Sequence, residues 1–120
     1  MRNLCDDLEY RLAGLPQRGD SSLQVEVVDL VAWFQHRFVK IHPFRDLNGR
    51  TARLLTSYLL LQLGFPALEI DAEEGEGRTR YIAAMRAADQ FDLEPLSRLI
   101  ATALSEAMAQ DALSPAFGET

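Results

Sequence analysis

One cysteine in 120 residues excludes an internal disulfide, and Cys5 reads as a small buried hydrophobe compatible with a reducing compartment. No apolar run approaches the roughly 20 residues a bilayer-spanning helix needs, and Met1 to Leu12 lacks the apolar core of a signal peptide. The expectation is therefore a cytoplasmic protein without a membrane partner. Basic residues are also scarce: 12 Lys and Arg stand against 18 Asp and Glu, a formal net charge of -6. Without a cluster of Lys and Arg the chain has no electrostatic footprint for nucleic acid, so any attraction for phosphate must be local. Internal repeats and low-complexity segments are absent too. What remains, 48% apolar and 25% charged, is the composition of an ordinary globular protein, and the length suits one domain over residues 1–120.

Helical periodicity accounts for most of the chain. Leu4, Leu8 and Leu12 recur at helical spacing over Arg2 to Leu12, before Gly14, Pro16 and Gly19 break the chain. Ser21 with Gln24 has the spacing of a capping box ahead of a helix from Leu23 to Ile41, whose stripe is Val27, Val31, Phe34, Phe38 and Ile41. His36 falls off that stripe and reads as a surface residue, while Trp33 reads as packing. The next helix, from Gly49 to Leu63, is apolar nearly all round through Leu54, Leu55, Tyr58, Leu59, Leu60, Leu61 and Leu63, which predicts a central, buried position. Gly64 followed by Phe65-Pro66 should end it. Ala67 to Ile70 reads as briefly extended and Asp71 to Gly77 as an acidic loop. Thr79 to Gln90 is predicted helical with Tyr81, Ile82, Met85 and Ala88 inward. Asp92 should cap a closing helix that has Pro95 in its first turn and carries Leu96, Leu99, Ile100, Ala103 and Leu104. The sum is an all-α, single-domain bundle of about five helices around a buried central one, with its core over about 23–108 and a loose tail over 111–120.

The connection His42-Pro43-Phe44-Arg45-Asp46-Leu47-Asn48-Gly49-Arg50-Thr51-Ala52-Arg53 is not explained by local structure. Asn48 suits an N-cap, Gly49 lets backbone approach closely, and the first amides of the following helix are donors without intrahelical acceptors. Such a terminus suits an anion. Arg50 and Arg53, three apart on the first turn, oppose the helix dipole unless negative charge occupies the site. A polyphosphate there removes the conflict, and conflicts of this kind belong at functional sites. Asp46 could hold magnesium beside phosphates, and His42 could take a proton from an attacking hydroxyl. Taken singly, each has a plainer reading: His42 a hydrogen-bonded loop residue, Asp46 and Asn48 turn formers, Phe44 a core plug, Arg50 and Arg53 solvated surface.

Together the twelve residues resemble the signature of the Fic family, His-x-Phe-x-Asp/Glu-Gly-Asn-Gly-Arg-x-x-Arg. Seven specified positions match and one departs, Leu47 standing where the family usually has glycine. The resemblance reaches outward over roughly residues 23–108, through Phe38 to Ile41, Leu54 to Pro66, Tyr81 and Ala88 to Ser97. It implies transfer of AMP from ATP to a Ser, Thr or Tyr hydroxyl of a target protein, with release of pyrophosphate. By the same resemblance His42 is the base, Asp46 holds Mg2+, and Asn48, Gly49 and Arg50 cradle phosphates. Arg53 would contact the terminal phosphate, and Phe44 would anchor the loop. Tyr81 either lines the adenine side or is a core tyrosine with its hydroxyl bonded. Other readings are a related nucleotidyl or phosphoryl transfer, removal of AMP, or a nucleotide-binding remnant or partner-dependent module without transfer. Only 41 residues precede His42, so the family's target-aligning flap is expected to be missing, very short around Gln17 to Ser22, or outside this chain. Thr102 with Glu106 has the spacing of the family's inhibitory helix, but Ala107 follows, which leaves an antitoxin-like inhibitory partner as the expected alternative.

Overall fold

A computed structural model describes residues 2–17, 19–41, 48–72 and 74–113. They form five helices and no strand: α1 (Arg2–Ala13), α2 (Leu23–Ile41), α3 (Asn48–Gln62), α4 (Gly75–Asp89) and α5 (Glu94–Leu113). None of these helices is long and apolar enough to cross a membrane.

α2 occupies the centre. Its stripe is wider than the five residues of the sequence reading, with Val27, Val28, Leu30, Val31, Ala32, Phe34, Gln35 and Phe38 all buried. It packs against α1, α3 and α5, and α4 lies against α5. The expectation that α3 would be the central helix is corrected here: Leu54, Tyr58 and Leu61, spaced four and three apart, are each more than half exposed. Only the face of α3 carrying Ala52, Thr56 and Leu60 is fully buried. One apolar cluster joins Val27, Val31, Leu60, Ala84, Leu96, Ile100 and Leu104. Each wholly buried Leu or Ile in it contributes on the order of 1.5–3 kcal/mol of transfer free energy. A second cluster, Leu4, Phe34, Phe38 and Ala52, ties α1 to the last turns of α2 and the first of α3.

The helix ends follow from a few local bonds. Asp20, rather than the Ser21 and Gln24 pair, organises the entry to α2: its Oδ1 accepts the Ser22 amide at 2.9 Å and the Ser22 hydroxyl at 2.8 Å. Those two donors hold the Asp20 carboxyl below its ordinary pKa. α3 ends as expected at Gly64 (φ 89°), with Phe65 N–H donating to Leu60 C=O and Gly64 N–H to Leu61 C=O. This is the paired closure of a Schellman motif. α4 starts four residues before the expected Thr79, because Gly75 (φ 67°) turns the chain and Gly77 lets Asp71 approach where any Cβ would collide with it. Leu68, in the connection after α3, is held by Ser57, whose hydroxyl accepts the Leu68 amide at 3.1 Å. α5 begins at Glu94, with the Glu94 amide donating to Asp92 Oδ1 at 3.3 Å, and runs to Leu113.

The end of α4 repeats the Schellman closure, with Asp92 N–H on Ala87 C=O and Phe91 N–H on Ala88 C=O. The residue forced to φ 66° there is Phe91, and its side chain is 99% exposed. An L-residue in this region costs roughly 1 kcal/mol or more, and no packing offsets it. Phe91→Gly is therefore expected to stabilise the fold by roughly 0.5–1 kcal/mol, the gain being trimmed by glycine's larger unfolded-state entropy. Urea denaturation measures this: the midpoint should rise with an unchanged slope, and an unmoved midpoint would argue against strain at Phe91.

Candidate functional site

The signature straddles the junction between α2 and α3. His42, Phe44, Asp46 and Leu47 lie outside the described residues. α2 ends at Ile41, immediately before His42, and α3 starts at Asn48, so Asn48 and Gly49 fall in the first turn of α3. Arg50 follows as an exposed residue and Arg53 as a partly buried one. Beneath them lies the Phe34 and Phe38 pair, ring centroids 6.0 Å apart, packed on Ala52.

A buried polar series of side chains lies beside Arg53. The Arg53 guanidinium carbon lies 5.3 Å from the centroid of the Tyr81 ring, a cation–π distance. The Tyr81 hydroxyl donates to Gln35 Oε1 at 2.6 Å. Gln35 Nε2 donates to Thr56 Oγ1 at 2.9 Å, and the Thr56 hydroxyl donates to the Ala52 carbonyl at 2.8 Å. The series of bonds thus runs from Tyr81 on α4 through Gln35 on α2 to Thr56 and Ala52 on α3.

Its direction is fixed from the Ala52 end, which leaves the Gln35 oxygen to accept from the Tyr81 hydroxyl. A carbonyl can only accept, so Thr56 must donate to Ala52 and accept from the Gln35 nitrogen. Gln35 and Thr56 are almost completely buried, and Tyr81 is buried as well. Among the described residues no buried side-chain N or O lacks a partner. Burial raises the Tyr81 phenol above its ordinary pKa, against the opposing pull of Arg53. Tyr81 therefore has the geometry of a core tyrosine with its hydroxyl bonded. Gln35 passed unnoticed in the sequence: a glutamine one position after Phe34 in an amphipathic helix carries no mark of burial, and its partners lie 21 and 46 residues away.

His36, read from the sequence as a surface residue, joins α2 to α4 instead. Its Nε2 lies 2.8 Å from Asp89 Oδ1, with Lys40 Nζ 3.7 Å from the same oxygen. The hydrogen bond from His36, with the positive charge of Lys40, holds the Asp89 carboxyl below its ordinary pKa. A carboxyl depressed in the folded state contributes stability above its unfolded pKa of about 3.9, and that contribution is lost as pH falls through the lower folded value. Wild type should therefore exceed Asp89→Asn in stability at about pH 5, and the gap should narrow steadily below about pH 4. Urea midpoints of both proteins between about pH 3 and 6 test this, and a pH-independent gap would contradict it.

The Fic/DOC family model matches residues 1–60. Over 82 residues the chain is 36% identical to protein adenylyltransferase fic-1 of Caenorhabditis elegans, an alignment covering 68% of this chain and 16% of that protein. It is 35% identical over 82 residues to protein adenylyltransferase Fic of Drosophila persimilis, with the same two shares. With protein adenylyltransferase Fic of Drosophila willistoni it shares 36% identity over 96 residues, 75% of this chain and 19% of the other. The chain thus spans less than a fifth of the length of these relatives. With the family match running over half of its residues and taking in His42 to Arg53, the chain belongs to the Fic/DOC family.

Proposed function

We propose that this chain carries a nucleotide-transfer site that moves AMP from ATP to a hydroxyl of a target protein. The observation that carries the reading is the position of the signature, immediately after α2 and running into the first turn of α3. In that position phosphates would meet the first-turn backbone amides, the positive end of a helix and two arginines. Support comes also from the relatives, which are named protein adenylyltransferases.

In this reading Asn48, Gly49 and Arg50 cradle the phosphates and Arg53 contacts the terminal one. His42 accepts the proton of the target Ser, Thr or Tyr hydroxyl as its oxygen attacks the α-phosphorus. The bond from that phosphorus to the bridging oxygen breaks, and pyrophosphate leaves with the electron pair. Among the described residues no three His, Cys, Asp or Glu side chains gather into a metal site. In this reading Asp46 would supply a carboxylate oxygen to magnesium, which keeps several waters and is commonly held by one or two carboxylates together with substrate phosphates. When bound, magnesium neutralises charge on those phosphates.

Incubation of wild type and His42→Ala with magnesium, a cell lysate and ATP labelled on the α-phosphate tests the reading. Wild type should leave label on protein in a denaturing gel, and His42→Ala should reduce it by about a hundredfold or more. Label transferred from the γ-phosphate instead would assign phosphoryl transfer. Binding of ATP by both proteins without label would leave a nucleotide-binding module and remove the AMP-transfer assignment.

A further inference from the structure

We propose that Tyr81 and Gln35 are positioning residues for Arg53, setting its guanidinium toward the terminal phosphate of the nucleotide. The proposal rests on the reading of Arg53 given above and adds two residues that lie outside the signature, on α4 and α2.

An arginine on the first turns of a helix is repelled by the dipole and would, on a long flexible stem, sample many directions. Among the contacts that restrict it, the Tyr81 ring takes the guanidinium on its face at 5.3 Å. A restraint on Arg53 is only as good as the fixity of the tyrosine. Tyr81 is 6% exposed, and its hydroxyl is held by Gln35 at 2.6 Å, itself held by Thr56 at 2.9 Å. Because the series of bonds ends on the Ala52 carbonyl, one residue from Arg53, the guanidinium is referenced to the same helical turn that presents the phosphate-binding amides. Each bond donates in the same direction along the series, so each polarises the next.

The consequence is specific. An arginine aimed at a terminal phosphate distinguishes a nucleoside triphosphate from a diphosphate, so loosening it should lower affinity for ATP while leaving that for ADP. Isothermal titration with ATP and with ADP, each with magnesium, measures the ratio of the two affinities in wild type, Arg53→Ala, Tyr81→Phe and the double variant. Tyr81→Phe keeps the ring and removes only the hydroxyl. It should cut the ATP-to-ADP ratio about three- to tenfold with ADP affinity unchanged, and have no further effect when Arg53 is already alanine. Gln35→Met, which removes the acceptor behind the hydroxyl, should act in the same sense, with urea midpoints showing that each variant is folded.

An unchanged ratio in folded Tyr81→Phe and Gln35→Met overturns the proposal. So does a fall of the same size in the Arg53→Ala background, because the effect would then not pass through Arg53. If Arg53→Ala itself leaves the ratio untouched, the assignment of Arg53 to the terminal phosphate falls, and this proposal falls with it. That result is separable from failure of Tyr81 alone.

Discussion

The side-chain amide of Gln35 can point only one way, and the meeting of three helices depends on it. The acceptor-only Ala52 carbonyl makes Thr56 a donor to it and an acceptor from Gln35 Nε2, which leaves no alternative orientation for the amide. Buried polar groups are tolerable only when every member is satisfied, since an unpaired one costs on the order of 1–3 kcal/mol. Sliding α3 along α2, or rotating α4 about its axis, would break at least one of these bonds. Apolar packing alone does not supply that selectivity: Val31, Leu60, Ala84 and Ile100 would remain in contact through small slips of register. Hydrophobic burial therefore drives the helices together, and this series of bonds selects where they stop.

Periodicity made much of this bundle legible. The helix over Leu23 to Ile41 has the predicted bounds because its apolar stripe is uninterrupted and nothing within it breaks a helix. Gly64 marks the end of α3 because only a residue tolerant of positive φ closes a Schellman motif cheaply, yet Phe91 occupies the equivalent position after α4. That second closure was invisible to a rule that looks for glycine. The capping box at Ser21 and Gln24 lost to Asp20, whose charged carboxylate accepts both the Ser22 amide and the Ser22 hydroxyl. At α4 the acidic stretch looked like loop, but Gly77 earns its place there by close approach to Asp71, a tertiary fact.

The candidate site divides in the same way. Its signature is a local pattern of twelve residues, so it could be read directly. Its support is not local: Gln35, Thr56 and Tyr81 come from three helices and have no shared spacing. The central helix was misassigned for a related reason. Apolar content around a helix says that it could be buried on every side, whereas the number of neighbours decides whether it is. α3 carries apolar residues nearly all round its second half, but α2 has more helices against it.

In a chain of net charge -6, Arg50 and Arg53 set two positive charges on the first turns of one helix, α3. Arg50 and Arg53 both stand against the dipole of α3, and each must be held there by something other than helix propensity. For Arg53 one such contact is the face of the Tyr81 ring, 5.3 Å from the guanidinium carbon. That ring is fixed in turn by its buried hydroxyl, which donates to Gln35 Oε1, and burial raises the phenol above its ordinary pKa, which favours the neutral form that can make this bond.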